Sequence, residues 1–377
     1  MKDCSRDFSL YIHIPFCVSK CAYCDFLSFT DQRLMAEYFD AICNEIRLRG
    51  REVDRPVNAI YVGGGTPSIC YRFFPKLSEA IRESFVVKED AEISMECNPE
   101  SVTSGFIEAA RAFGVNRVSL GVQTLSDPLL RSLGRAHDRK KAIAALELLT
   151  RSFSSVNADL MVGLPGQTEA DVDDSLDVLL SFPLNHVSCY SLILEEGTPL
   201  FSARSRGEFT LDEDAAVDLY DHVKETLDSR GFHRYEISNF CKEGAACRYN
   251  LSVWQYARYL GVGLGASSFL PAGEFFPARR TRNATNLREY LASVTKRSEE
   301  ETIEFYEAEK EFIMLGLRLE KGLDLMRFRE LFKIDFLEKY REKIDLFAKY
   351  FTYSDRYFAI RPEYIYISNS LILSLIG

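Results

Sequence analysis

Over the first two thirds of the chain, short runs rich in β-branched and apolar residues alternate with longer amphipathic stretches. That alternation restricts the fold more than any other feature. The runs Leu10–Ile14, Ala59–Val62, Glu92–Glu96, Arg117–Val122, Asn157–Val162 and Val187–Leu192 read as strands. Between them lie helical patterns such as Arg33–Arg49, with Leu34, Tyr38, Ile42 and Ile46 four residues apart, and Lys140–Leu149. Repeats of strand, helix and strand imply right-handed βαβ units and therefore a parallel sheet. Six such units suit a doubly wound sheet or an open or complete barrel, and the period does not choose between them.

Several of these strands finish in groups suited to binding. Gly63-Gly64-Gly65 follows the second, Glu96 ends the third, Gln123 follows the fourth, and Asp159 lies inside the fifth. A charge within a strand is costly without a partner. Ligand sites in parallel α/β folds gather at the C-terminal ends of the strands, so one shared site there is expected. From about residue 300 the pattern changes. Glu301–Leu319 reads as one long helix, followed by helices around Leu325–Phe332 and Phe336–Tyr350 and a hairpin turning near Ser354-Asp355. This predicts a small helical, winged-helix-like domain with a terminal β-ribbon.

Composition narrows the setting. With 46 Lys+Arg against 56 Asp+Glu the net charge is −10, which argues against a non-specific nucleic-acid binder because phosphate repels an acidic surface. No apolar run approaches the ~18 residues of a membrane helix, so no stable membrane insertion is expected. The opening MKDCSRDFSL lacks the basic and then apolar pattern of an export signal, and a cytoplasmic protein is expected. In that compartment ten cysteines are thiols or metal ligands rather than five disulfides. Cys4, Cys43, Cys70, Cys97, Cys189, Cys241 and Cys247 are scattered and suit apolar packing. Cys17, Cys21 and Cys24 are crowded on the loop after the first strand. The spacing C-x3-C-x2-C can converge on one metal centre. A structural zinc takes four protein ligands, and His13 or Cys4 would have to be the fourth. Three thiolates with no fourth instead suit a [4Fe–4S] cluster with one iron left open.

C-x3-C-x2-C with Tyr23 before the last cysteine resembles the signature of the radical S-adenosylmethionine (SAM) superfamily. The surrounding YIHIPFCVSKCAYCDF is similar, more narrowly, to the oxygen-independent coproporphyrinogen III oxidase-like family and its HemW (heme chaperone) branch. The likeness runs through EFIMLGLRLEKGLD near residue 320. The resemblance implies an α/β fold, a partial (β/α)6 TIM-like barrel over residues 1–240. A connecting extension over 241–300 and the small C-terminal domain over 301–377 follow. It implies a [4Fe–4S] cluster on Cys17, Cys21 and Cys24, whose open iron chelates SAM, and an electron donor whose electron cleaves SAM to a 5′-deoxyadenosyl radical. Gly63, Gly64, Gly65 and Thr66 match the family's GGGTP loop for the SAM amino group, and Glu96 of MECNPE its ribose contact. Gln123, Arg135 and Asp159 match further SAM positions, Arg135 being apt for the carboxylate. Tyr11 and the backbone near Tyr23 fall on the adenine side. Taken by residue type alone, each of these charges serves equally well on a surface or in a buried ion pair.

Within the family, the chaperone reading is a protein that binds heme and hands it to an acceptor protein. The alternative is oxidative decarboxylation of two coproporphyrinogen III propionates, and another radical SAM reaction is a third reading. Oxidases of the family continue C-x3-C-x2-C-x-C, whereas this chain has Phe26; they also carry a long N-terminal extension, and here the first strand begins early. RYEISNF and CRYNLSVWQYARYLGVGLGA are similar to HemW. Two departures stand out. The HemW pattern His-Asn-x-x-Tyr-Trp is here Tyr249-Asn250-Leu251-Ser252-Val253-Trp254, and Gly-Ala-His is Gly265-Ala266-Ser267. Tyr249 offers a phenolate as a substitute ligand for ferric heme. Gly261–Ala266 fits G-x-G-x-x-A, but Asn283 stands where a dinucleotide fold needs an acid, so a turn or sheet-edge loop is expected. Arg279, Arg280, Arg282, Arg288, Lys296 and Arg297 read as a solvated face.

Overall fold

A computed structural model describes residues 2–271 and 276–377. The six predicted strands are present as β1 (Phe8–Ile14), β2 (Val57–Gly64), β3 (Val87–Cys97), β4 (Arg117–Gln123), β5 (Ser155–Val162) and β6 (His186–Ser191). They pair in parallel, in chain order. Two short strands, β7 (His233–Arg234) and β8 (Asn239–Cys241), close the β6 edge in antiparallel fashion. The other edge carries β9 (Arg258–Val262), β10 (Ser267–Pro271), β11 (Ala278–Asn283) and β12 (Arg297–Ile303). Among the described residues the order is β12-β11-β10-β9-β1-β2-β3-β4-β5-β6-β8-β7, a sheet whose two ends do not meet.

Along the six parallel strands apolar residues, packed beneath the helices, alternate with residues such as Tyr11, Glu96, Ser119 and Asp159 that face the other way. Leu10, Ile12, Val62, Leu120 and Leu160 pack with Ile42, Leu77, Phe106, Leu146 and Leu176 of the intervening helices. The predicted helices are Met35–Arg49 and Arg139–Ser152. The capping box of Thr168 and Asp171 starts helix Glu169–Ser181.

Three expectations need correction. Gly261 is not in a loop: it belongs to β9, which lies parallel to β1 and adds a seventh parallel strand, and only Gly263–Ala266 turn. A Cβ on Gly261 would come 2.1 Å from the Ser267 carbonyl oxygen, so the glycine serves strand packing. Glu301–Ile303 is strand, not helix. Arg279, Arg280 and Arg282 pair across β11 and β12 with Glu300, Glu301 and Glu299, and the capping box of Glu304 and Glu307 starts the helix at Phe305. Phe336–Tyr350 is three short pieces, Phe336–Lys339, Arg341–Leu346 and a turn at Ala348–Tyr350. Lys339 and the Tyr340 hydroxyl are drawn to the buried Glu309 at the first break. The hairpin is present as β14 (Phe351–Tyr353) and β15 (Tyr357–Ile360), joined by β13 (Leu323–Asp324). A further helix, Ser368–Ile376, packs Leu371, Ile372 and Leu375 into the same aromatic core as Phe312, Phe328, Phe336 and Phe358.

One buried carboxylate fastens β9 and β10 to the first helix. Glu45 accepts from the Gly263 N–H and the Tyr290 hydroxyl, each at 2.8 Å, and from Asn283 Nδ2 at 2.8 Å. Asn283 also donates to the Gly263 carbonyl at 2.7 Å. Burial raises the Glu45 pKa, against these hydrogen bonds and the Arg49 charge. Glu45→Ala leaves three buried donors without an acceptor, so unfolding in urea is expected to show a loss of about 3 kcal/mol. A loss below about 1 kcal/mol would mean that water replaces the carboxylate there.

Candidate functional site

The site begins where β1 and β2 end. Gly64 has φ +108°, and a Cβ there would lie 2.4 Å from the His13 ring. At Gly65 it would lie 2.7 Å from the Phe16 carbonyl oxygen. Lacking side chains, this turn runs against the chain leaving β1. The Gly65 N–H donates to the Ile14 carbonyl at 2.8 Å and the Thr66 N–H to that of Phe16 at 2.7 Å. The cysteine loop starts at this seam. It is tied again by the Cys17 N–H to the Phe29 carbonyl at 2.9 Å and by the Ala22 N–H to that of Leu133 at 2.9 Å. Cys17, Cys21 and Cys24 are half-exposed free thiols, whereas the other seven cysteines are buried.

A cavity of about 330 Å³ lies over the strand ends. Cys17, Cys21, Tyr23, Cys24, Gly64, Gly65, Thr66, Glu96, Gln123, Arg135 and Asp159 all line it. Tyr11 and Gly63 stand back from it: Tyr11 lines a neighbouring cavity, and Gly63 makes room for the Glu96 carboxyl, which a Cβ would meet at 2.8 Å. Glu96 accepts from the Tyr61 hydroxyl at 2.8 Å and the Gly64 N–H at 3.0 Å. Burial pushes its pKa up to about 7, against those two bonds. Asp159 is likewise raised by burial, against bonds from Asn157, Ser188 and Ser119 and the Arg117 charge. Gln123 has φ +68° at a register shift between β4 and β5, an unusual backbone for a residue with a side chain.

Arg135 donates to Cys21 Sγ at 3.3 Å, to Asn98 Oδ1 at 2.8 Å and to the Gly121 carbonyl at 2.7 Å, and its Nε is buried without a partner. Thr66 Oγ1 lies 3.5 Å from Cys17 Sγ. Two of the three sulfurs therefore face hydrogen-bond donors, and one donor of Arg135 is left over. Three thiols with these donors fit an anionic iron–sulfur centre, and the spare guanidinium donor fits a carboxylate beside it. The two residues considered as a fourth zinc ligand are occupied elsewhere. His13 has both ring nitrogens engaged, by the Leu27 carbonyl at 2.9 Å and the Tyr11 hydroxyl at 3.1 Å. Cys4 packs with Tyr235, Cys241 and Leu251. Neither lines the cavity.

Asn98, Tyr61, Ser119 and Tyr190 belong to the site and were not singled out from sequence. Asn98 had a signal, standing two residues past Glu96 at the same sheet edge. Tyr61 had none, because its role comes from the register that sets β2 beside β3.

A second cavity, of about 640 Å³, adjoins the first and shares Phe26, Gly64, Glu96 and Tyr190 with it. Tyr249 and Ser267, the two departures from the histidine pattern, both line it. Tyr249 lies against Tyr61 and Tyr11, ring centroids 5.0 and 6.0 Å apart, and burial holds its hydroxyl well above the usual phenol range. Among the arginines of the basic run, Arg279, Arg280 and Arg282 pair with glutamates, and Lys296 pairs with Glu289 at 3.0 Å.

Comparison with known proteins agrees with this architecture. Residues 11–179 match the radical SAM superfamily and residues 307–350 the HemN C-terminal domain. The fold is that of the coproporphyrinogen III oxidase (HemN) from Escherichia coli, with a TM-score of 0.83 over 100% of this chain and 91% of that one, at 21% identity. The chain is thus a radical SAM protein with the partial-barrel fold, and that superfamily implies a [4Fe–4S] cluster and SAM. It is 36% identical over 331 residues to the heme chaperone HemW of Mycobacterium tuberculosis, covering 85% of this chain and 84% of that protein. It is 35% identical over 356 residues to HemW of Lactococcus lactis, covering 92% and 91%. The chain belongs to the HemW family. No helix among the described residues is long and apolar enough to cross a membrane.

The raised Glu96 pKa has a consequence for stability. A carboxyl that titrates near 7 when folded and near 4.5 when unfolded binds the extra proton only in the folded chain, so its stabilisation is lost as pH rises through that window. Glu96→Gln is expected to remove this loss. In thermal unfolding of the cofactor-free protein, the variant should lose less stability than the parent between about pH 5 and pH 8, by roughly 2 kcal/mol. Parallel declines in the two proteins would contradict the assignment.

Proposed function

We propose that Cys17, Cys21 and Cys24 hold the [4Fe–4S] cluster. On this reading SAM lies over the Gly64–Thr66 turn, with Glu96, Gln123, Arg135 and Asp159 around it. The single observation that carries the reading is the convergence on one cavity of the half-exposed thiols, the glycine turn and these polar strand ends. Bound there, the cluster supplies an iron with an open position and a route for one electron. The chain's own contribution is positional. Arg135 offers its unused Nε to a carboxylate, and the Glu96 carboxyl accepts from hydroxyl groups on the cavity side.

For the protein as a whole we propose heme binding and transfer to an acceptor protein, with heme in the second cavity. Support comes from the HemW relatives and from the position of that cavity beside the first. Tyr249 and Ser267 stand where the histidines of the pattern would be; burial raises the Tyr249 hydroxyl above the usual phenol range, so a phenolate ligand would need the iron itself to displace that proton. Free thiols and an iron–sulfur cluster suit a reducing compartment, in line with the cytoplasm. Phe26 in place of a further cysteine speaks against the oxidase alternative.

The test is anaerobic reconstitution followed by four measurements. Cys17→Ala, Cys21→Ala and Cys24→Ala should each lose the broad visible absorbance of the cluster, and Arg135→Leu should keep it while weakening SAM binding about tenfold, or about 1.4 kcal/mol. Hemin titration followed by absorbance should saturate. Consumption of coproporphyrinogen would overturn the chaperone reading in favour of the oxidase, and a normal cluster in Cys17→Ala would overturn the metal site.

A further inference from the structure

One residue holds both of the donors that face the cysteine sulfurs. Asn98 Nδ2 donates to Thr66 Oγ1 at 2.9 Å, and Asn98 Oδ1 accepts from Arg135 Nη2 at 2.8 Å. The orientation of the amide is fixed, because a guanidinium can only donate: the oxygen must face Arg135 and the NH2 group Thr66. Thr66 is 1% exposed, so water does not compete for its hydroxyl. With the Asn98 N–H occupying a lone pair of that oxygen, the Thr66 proton is directed to Cys17 Sγ, 3.5 Å away. The second arm is the Arg135 contact to Cys21 Sγ at 3.3 Å. The backbone supports the same arrangement. The Asn98 carbonyl accepts from the Ser101 N–H at 2.9 Å and the Ser101 hydroxyl at 2.7 Å. Gly121 leaves the space, since a Cβ there would come 2.7 Å from Asn98 Oδ1 and 3.2 Å from Arg135 Nη2.

We propose that Asn98 is a positioning residue that raises the reduction potential of the metal centre by aiming the Thr66 hydroxyl and the Arg135 guanidinium at Cys17 and Cys21. This rests on the reading that those cysteines hold an iron–sulfur cluster. Hydrogen bonds and positive charge at the sulfurs stabilise the form that carries one more negative charge, and potentials of such clusters follow the hydrogen bonding of their sulfurs. The step is a single electron taken from an external one-electron donor, with no bond made or broken and no proton moved. Asn98 touches none of the reacting atoms and acts through its two partners.

The experiment is an equilibrium redox titration of the reconstituted full chain with titanium(III) citrate as reductant, with iron and sulfide measured in the same samples. Thr66→Val removes the hydroxyl at nearly constant shape. Asn98→Leu keeps about the same size and adds no charge, but neither donates nor accepts, so neither the Thr66 hydroxyl nor the Arg135 guanidinium is held on its sulfur. Both variants should be about tenfold harder to reduce, a shift of about 59 mV to more negative potential for one electron. Thr66→Ser should stay within threefold of the parent. Full cluster content with both variants also within threefold would overturn the inference while leaving the metal site intact, and so would an equal tenfold shift in Thr66→Ser. If Thr66→Val takes up no iron, Asn98→Leu decides by the same criterion. A full cluster in Cys17→Ala would instead remove the reading on which the inference stands.

Discussion

The site depends on a close approach of two chain segments that only glycine permits. At Gly64 and Gly65 the end of β2 presses against the end of β1, with the His13 ring and the Phe16 carbonyl where side chains would otherwise be. Two backbone hydrogen bonds close the seam. The cysteine loop leaves the sheet at this point, and backbone contacts set its direction. The glycines are thus as much a packing device as a ligand loop. The same turn lends the Gly64 N–H to Glu96 and brings Thr66 to Cys17.

A second constraint lies at the neighbouring edge of the sheet. β9 runs parallel to β1, and its turn into β10 is held by Glu45 and Asn283. Those contacts fix Gly265, Ala266 and Ser267 on the wall of the larger cavity. Asn283 stands where a dinucleotide-binding chain would carry an acid. Its amide instead closes a turn, donating to the Gly263 carbonyl and to Glu45.

Much of this was legible in the sequence because βαβ units leave a strong signal. Their strands are buried on both faces and their helices have one apolar side, so both stand out by period alone. Polar residues at strand ends could be assigned to one edge because parallel strands all point the same way. What period could not reveal was cross-strand chemistry. The end of β12, Glu301–Ile303, reads as helix because it runs straight into the helical pattern that follows, and only its pairing with β11 makes it strand. The break at Tyr340 is set by Glu309, some thirty residues earlier. Glu45 looks like any exposed charge of a surface helix until the β9 turn closes over it. Asn98 is similar: its importance lies in facing Arg135 and Thr66 at once, and those two are far apart in the chain, Thr66 just after β2 and Arg135 beyond the helix Asp127–Ser132.

Glu96 links the two cavities, because its carboxyl belongs to the wall of both. Tyr61, which donates to it, also packs at a tilt against Tyr249 of the larger cavity. A carboxyl titrating near neutrality changes its charge readily, and opposite charge nearby favours the ionised form whichever cavity it comes from. A cation held against Glu96 in the first cavity would favour the ionised form of a carboxyl that also faces the second. Phe26 and Tyr190, the other side chains on the shared wall, supply apolar surface there. Of the side chains on that partition only Glu96 is a carboxyl, so it is the group there whose charge changes near neutral pH.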